Sequence, residues 1–276
     1  MRAAVLGSPI SHSLSPVLHT AAYAALGLAG WSYQAIECDE RGLPGLLDSR
    51  GPGWVGLSLT MPLKRAVLPL LDNAELLVTE VGGANTVIFA AGARDGYNTD
   101  VPGMVTALSQ SGTKISGPAL ILGGGATACA ALAALRALGT PAAQVAVRDP
   151  RRAGDLLAAA GRLGVSVRLV PFGELPRAGS GLLLISTVPA GAAEYYAKLI
   201  AAAALVPAAV LDVVYQPWPT PLAGAAAAAG ATVASGFDLL LHQAARQVEL
   251  MTGCRAPVAE MRAAGRTALA SSSPAS

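Results

Sequence analysis

Three groups of residues in this chain have types and spacings that chemistry could use. Ser13 and Ser15 precede Pro16 and an apolar periodicity of Val17, Leu18, Ala21, Ala22 and Leu26 that stops at Gly27. Serine followed by proline is a helix-start signal, so both hydroxyls would flank a helix N-terminus, where free amides and the dipole attract an anion. The plainer reading makes Ser15 a side-chain cap and nothing more. Lys64 follows the apolar run Trp54 to Leu59, with Thr60 as the expected cap and Pro62 in the first helical turn. That puts an ammonium near the carboxyl end of a strand, where open α/β sheets bind ligands, although a lysine there is ordinarily just solvated. Two clusters of short polar residues follow, Gly83-Ala84-Asn85-Thr86 and Gly96-Tyr97-Asn98-Thr99-Asp100. Turn chemistry alone would also explain them.

The third group lies beyond residue 118. Ala119 to Leu122 reads as a strand, and Gly123-Gly124-Gly125-Ala126-Thr127-Ala128 fits G-x-G-x-x-A ahead of an Ala/Leu-rich helix to about Leu138 and a second strand at Gln144 to Val147. Glycines permit a tight turn and let the backbone approach a pyrophosphate, whose charge meets the helix N-terminus. A flexible glycine loop is the plain alternative, and the strand-turn-helix-strand context favours the nucleotide. Where such a unit reads the adenosine ribose stands Arg148-Asp149-Pro150-Arg151-Arg152. Arginine bonds to a 2′-phosphate contribute about 1.5 to 3 kcal/mol each. Asp149 opposes them, because a like charge about 4 Å away at an effective dielectric of about 20 costs about 4 kcal/mol. Asp-Pro is a natural turn start, so Asp149 is expected to cap the Pro150 turn and pair with Arg152, which leaves NADP favoured over NAD.

The elements that must position these groups follow from composition and punctuation. The chain has 276 residues, 53% hydrophobic and only 13% charged, so it packs a core and suits roughly two domains. Its net charge of +2, from 19 basic and 17 acidic residues scattered without a run, offers no footprint for nucleic acid or an anionic membrane. A small ligand fits better. The uncharged stretches 115–135 and 213–237 are broken by Gly123 to Gly125 and by Pro217, Pro219 and Pro221, so neither reads as a membrane span. The apolar run after Arg2 is too short for a secretory signal. Cys38, Cys129 and Cys254, odd in number and without Cys-x-x-Cys spacing, read as reduced thiols in a cytoplasm, with no metal cluster. His12 and His19 read as structural. Leu182 to Ile185 and Ala209 to Val214 read as further strands. From Gly236 an amphipathic helix runs to Thr252, with Gln243 and Gln247 on one face that is normally solvated. From about Ala264 the chain lacks large apolar residues and is expected to fray.

Taken in order, Gly7-Ser8-Pro9-Ile10-Ser11-His12-Ser13-Leu14-Ser15-Pro16, Gly56-Leu57-Ser58-Leu59-Thr60-Met61-Pro62-Leu63-Lys64, Gly83-Ala84-Asn85-Thr86 and Asn98-Thr99-Asp100 resemble the shikimate dehydrogenase family throughout its substrate domain. Over about residues 1 to 262 the chain looks most like the actinobacterial members. The resemblance implies an α/β fold of two domains. These are a substrate-binding domain at 1–102, completed by a helix at 239–262, and a Rossmann NADP-binding domain at 103–238, with a disordered tail at 263–276. It implies NADP-linked interconversion of 3-dehydroshikimate and shikimate in aromatic amino-acid biosynthesis. A ketone that becomes an alkoxide as hydride arrives needs a proton donor, which an ammonium paired with a carboxylate supplies. By the resemblance Lys64 is that acid or base and Asp100 its partner. Ser13 and Ser15 take the substrate carboxylate, and Thr60, Asn85, Thr99, Tyr215 and Gln243 take the hydroxyls. Gly123, Gly124, Gly125, Ala126, Thr127, Arg148, Arg151 and Arg152 hold the nucleotide, with Thr187, Val213 and Gly236 near the nicotinamide and no metal. The family's NADP-specific members resemble Asn-Arg-Thr where this chain has Val147-Arg148-Asp149, and Thr20, Ser58 and Ser186 also depart from the commonest pattern. An NAD-dependent quinate/shikimate dehydrogenase and an aminoshikimate-type enzyme therefore stay open. A ligand sensor on the same domains is disfavoured by the presence of both Lys64 and Asp100. The expected protein is a cytoplasmic monomer or homodimer with a small-molecule substrate.

Overall fold

The computed structural model describes residues 1–113, 117–174 and 181–271. They form two compact units, Met1–Thr99 with the chain from Leu240 onward, and Asp100–Leu239. The first unit contains β1 (Arg2–Gly7), α1 (Ser15–Ala25), β2 (Ser32–Glu37), α2 (Leu43–Asp48), β3 (Trp54–Leu59), the single turn α3 (Leu63–Ala66), β4 (Asn73–Ala74), α4 (Leu76–Val81), β5 (Thr86–Ala90) and β6 (Ala93–Tyr97). The second contains α5 (Asp100–Gln110), β7 (Ala119–Leu122), α6 (Ala126–Ala137), β8 (Ala142–Val147), α7 (Gly154–Leu163), β9 (Ser166–Pro171), β10 (Leu182–Ser186), α8 (Glu194–Ala201), β11 (Pro207–Asp212), α9 (Pro221–Ala228) and β12 (Thr232–Ser235). Most of α10 (Gly236–Thr252) and all of α11 (Val258–Ser271) belong to the first unit.

The first unit is a six-stranded mixed sheet in the order β2-β1-β3-β5-β6-β4. β1 runs parallel to both neighbours, whereas β5 is antiparallel to β3 and β6. Alternate residues of β1 serve opposite faces, as a period of two requires. Ala3 and Val5 pack with Tyr23, Tyr33 and Met251, while Ala4 and Leu6 pack with Leu43, Leu47, Leu63 and Val78. α11 corrects the expectation of a frayed tail. The chain stays helical to Ser271, with Met261 and Gly265 buried, and α11 lies along α1. Burial of those two residues, and not a run of large side chains, holds it; residues 272–276 of the expected tail lie outside the described residues.

The second unit carries six parallel strands in the order β12-β11-β10-β7-β8-β9. Chain order reverses between β7 and β10, the switch point at which doubly wound sheets bind dinucleotides. Every residue of α6 from Ala128 to Leu135 is buried, which accounts for the apolar run there: a helix hydrophobic all round is a core helix. No described helix is long and apolar enough to cross a membrane.

His19 is structural, as its place on the first helix suggested. It is fully buried, with Nδ1 2.9 Å from the Ser15 carbonyl oxygen and its ring stacked on Tyr33 at 3.8 Å. Burial lowers its pKa from 6.5 to about 4, and the Ser15 carbonyl opposes that shift. The unfolded chain therefore binds a proton at pH values where the folded chain does not. His19's contribution to stability is complete above pH 6.5 and is lost as pH falls toward 4, by about 3 kcal/mol. We expect the thermal midpoint, followed by circular dichroism, to decline between pH 6.5 and 4.5 and His19→Phe to flatten that decline.

Candidate active site

The polar clusters of the first unit converge on Asn85, whose side chain is 1% exposed. Its Oδ1 accepts from the Thr99 backbone N–H at 2.8 Å, and its Nδ2 donates to Thr99 Oγ1 at 2.9 Å and to Gln243 Oε1 at 3.3 Å. Gln243 is held by donation from Nε2 to the Leu240 carbonyl at 3.1 Å. The backbone fixes the frame: Leu59 N–H donates to the Asn85 carbonyl at 2.7 Å, and Asn85 N–H donates to that of Tyr97 at 3.1 Å. Lys64 is brought to the same place, because its carbonyl accepts from Ala84 N–H at 2.9 Å. Asn98 donates from Nδ2 to Gly83 at 2.8 Å, bracing the Gly83–Asn85 turn. Asp100 follows Thr99 directly, is buried, and opens α5.

Two expected caps are corrected. Ser15 does not cap α1; it is the first residue of the helix and buried, and its own N–H donates to Ser13 Oγ at 3.3 Å. Thr60 does not cap α3 with its side chain either. Its N–H donates to Leu6 at 2.9 Å, extending the β1–β3 ladder, and its carbonyl accepts from Leu63 N–H at 2.8 Å. The structure thus groups Asn85, Thr99 and Gln243 by direct bonds, with Ser13 beside Ser15. Tyr215, half-buried after β11, and the nucleotide-type residues belong to the second unit.

In the second unit, Gly123 to Gly125 join β7 to α6 at the switch point. Gly123 has φ +105°, and a Cβ there would stand 2.7 Å from Thr187 Oγ1, so only glycine fits. Thr187 ties the turn to the sheet by donating its N–H at 2.9 Å and its hydroxyl at 2.7 Å to the Leu122 carbonyl. Gly125 begins α6 with no side-chain cap, and a Cβ on it would meet nothing within 4 Å. Uncapped amides, an open approach and a twelve-residue helix fit a pyrophosphate. At Gly236 a Cβ would run into the backbone of Val213 and Val214, so glycine lets α10 start against the end of β11.

Arg148 is exposed just past β8. Asp149 caps the following turn, as its Asp-Pro step suggested, but its partner is Arg151 and not the expected Arg152. Its Oδ1 accepts from Arg151 N–H at 3.0 Å and Nε at 2.9 Å, and its Oδ2 accepts from Nη2 at 3.1 Å. In a single turn over Pro150–Arg152, the amide aimed at the capping carboxylate is that of Arg151, whose side chain follows it. The Arg151 guanidinium holds the Asp149 carboxyl below its usual range. Arg151, 90% exposed and forked onto Asp149, is already engaged, which leaves Arg148 as the cation closest along the chain to β8.

The comparisons with known proteins agree with this geometry. Residues 5–87 match the shikimate dehydrogenase substrate binding domain, and residues 236–264 match the shikimate 5′-dehydrogenase C-terminal domain. A shikimate dehydrogenase (NADP(+)) of Thermus thermophilus is 38% identical over 270 residues, covering 98% of this chain and 99% of its own. The chain belongs to the shikimate dehydrogenase family. The crystal structure of Mycobacterium tuberculosis shikimate dehydrogenase superposes with a TM-score of 0.86 at 42% identity, covering 96% of this chain and 99% of that one. A Thermus thermophilus shikimate 5-dehydrogenase in complex with NADP(H) and shikimate gives 0.84 at 36% identity, covering 98% and 100%.

Two buried polar groupings of this family member were not read from the sequence. Gln247, on a face expected to be solvated, is 1% exposed and bonded on both ends; two polar residues four apart on a helix do not reveal which side is covered. Asp212, 2% exposed at the end of β11, accepts from Thr220 Oγ1 at 2.6 Å and from Val214 N–H at 3.3 Å. Burial pushes its carboxyl up, and the Thr220 and Val214 bonds hold it back. Thr220 also caps α9 by accepting from Ala223 N–H at 3.1 Å, so the segment carrying Val213 and Tyr215 is tied at both ends. Its sequence signal was the Thr220-Pro221 helix start. Thr220→Val, which removes a cap and leaves Asp212 short of a donor, should cost about 2 to 4 kcal/mol in thermal denaturation. Thr220→Ser, which keeps the hydroxyl, should stay within about 1 kcal/mol of the parent.

Proposed function

We propose that this chain is an NADP-dependent shikimate dehydrogenase, reversibly reducing 3-dehydroshikimate to shikimate in aromatic amino-acid biosynthesis. The observation that carries it is family membership along nearly the whole chain, shared with a relative bearing that name. The site chemistry supports it. Asn85, Thr99 and Gln243 form a buried set of amides and a hydroxyl suited to reading ring hydroxyls, and a site built to hydrogen-bond a hydroxyl discriminates strongly against analogues lacking it. Ser13 and Ser15 at the start of α1 take the substrate carboxylate, while Thr60 and Tyr215 complete the hydroxyl contacts. Lys64 holds the proton that the substrate oxygen receives on reduction and takes it back on oxidation, with Asp100 as its partner carboxylate. The coenzyme's part is hydride exchange at the carbon bearing that oxygen. Gly123 to Thr127 receive its pyrophosphate at the uncapped start of α6, with Thr187, Val213 and Gly236 beside the nicotinamide. NADP is the coenzyme because Asp149 is turned into its own cap and forked onto Arg151, which removes the repulsion that would favour NAD and leaves Arg148 for the 2′-phosphate. The protein works in the cytoplasm as a monomer or homodimer.

Steady-state assays with shikimate and quinate, each with NAD and NADP, test the whole reading; turnover of quinate with NAD in preference to shikimate with NADP would overturn it. Lys64→Ala should lower kcat by about 10² to 10⁴ with little change in shikimate KM, and a loss confined to KM would remove Lys64 from proton transfer. Wild-type kcat/KM should favour NADP by about tenfold or more, and Arg148→Ala should erase most of that margin by raising the KM for NADP alone.

A further inference from the structure

The hydroxyl-reading residues stand at one end of a longer buried chain of hydrogen bonds. Tyr33 donates its phenolic O–H to Ser58 Oγ at 2.6 Å, and Ser58 donates to Gln247 Oε1 at 2.8 Å. Gln247 Nε2 donates to Thr86 Oγ1 at 3.0 Å and to the Asn85 backbone carbonyl at 3.3 Å. Thr86 in turn donates to Asn85 Oδ1 at 3.0 Å. Ser58 and Thr86 are directly opposed in the antiparallel β3–β5 pair. Gln247, one turn beyond Gln243 on α10, spans both strands from above.

The direction of every bond is forced. The Asn85 backbone carbonyl can only accept, so the Gln247 atom facing it is Nε2 and the atom facing Ser58 is Oε1. Ser58 must then donate, and Tyr33 must supply the proton that Ser58 accepts. On the other side Thr86 receives the Gln247 N–H and passes its own proton to Asn85 Oδ1, the atom that also takes the Thr99 amide. Asn85 Nδ2 is thereby aimed at Thr99 and Gln243. All of these side chains are buried, and a flipped amide would set donor against donor where no water can intervene.

We propose that Gln247 and Thr86 are positioning residues for the substrate hydroxyls: together they orient the Asn85 amide and hold α10 at the height where Gln243 meets it. Neither reaches the substrate; both act through Asn85 and Gln243, so the proposal rests on the reading of those two as substrate ligands. The expected signature is a change in shikimate affinity without a change in coenzyme affinity.

The test uses the full-length enzyme with shikimate and NADP. Thr86→Val, nearly isosteric but without the hydroxyl, should raise shikimate KM about tenfold with the KM for NADP and kcat within about threefold of the parent. Thr86→Ser should restore shikimate KM to within about twofold, which a filler of space would not require. Gln247→Met should act in the same direction as Thr86→Val; should it fail to fold, the Thr86 pair decides. Asn85→Ala checks the underlying reading and should itself raise shikimate KM by about tenfold or more, and adding Thr86→Val to it should add less than about twofold. An unchanged shikimate KM in Thr86→Val, or a full further tenfold in the Asn85→Ala background, overturns the positioning role. An unchanged KM in Asn85→Ala alone overturns instead the assignment of Asn85 to the substrate.

Discussion

A side-chain amide shut away from water must have its hydrogen bonds supplied by protein, and Asn85 is where this molecule meets that demand. Each buried polar group left unmatched costs about 1 to 3 kcal/mol, and Thr99, Thr86 and Gln243 all supply bonds to this position. Those partners come from the segment after β6, from β5 and from α10, which lies far along the chain. Ordering one side chain therefore orders three regions. The same helix brings Met251 over Ala3 and Val5, so the apolar cover of the first sheet and the polar lining of the site are set by one packing event. The Lys64 backbone is tied to the same turn by the bond from Ala84 N–H to its carbonyl.

The second unit answers a different demand, since an anion needs amides that nothing else has claimed. Gly123 can adopt its positive φ and sit against Thr187, Gly125 leaves the start of α6 uncapped, and the alanines of α6 let the helix be buried along its length. Elsewhere in the same unit amides are claimed deliberately. Asp149 caps the Pro150–Arg152 turn, and Thr220 caps α9 while serving Asp212.

Much of this was legible in the residues. Pro16 and Pro150 mark a helix and a turn start because proline lacks an N–H and has its φ preset. The alternating and continuous apolar runs marked the strands, and the glycine run at the end of β7 marked the phosphate turn. Three of the corrections are local. Ser15 and Thr60 were read as caps because a polar residue before a helix start commonly serves it, and Arg152 was paired with Asp149 from its place one turn on, whereas the bonds went to Ser13, the β1–β3 ladder and Arg151. Such assignments depend on shifts of one or two residues in register, below the resolution of a propensity.

By itself the sequence determined that there would be a packed α/β chain of two motif blocks, one with a glycine turn for a dinucleotide and one with a lysine, a carboxylate and a set of hydroxyls and amides, because these follow from local periodicity and from residue chemistry. Only the tertiary structure decided that Gln247 is buried and that α11 continues through the alanines to Ser271. It also decided that Asp212 and Thr220 pair, and that hydrogen bonds run in one direction from Tyr33 to Asn85. The physical reason is the same in each case: whether a polar group is solvated or must find a partner depends on which distant element covers it, and that is a property of the assembled sheet and helices rather than of any short stretch of chain.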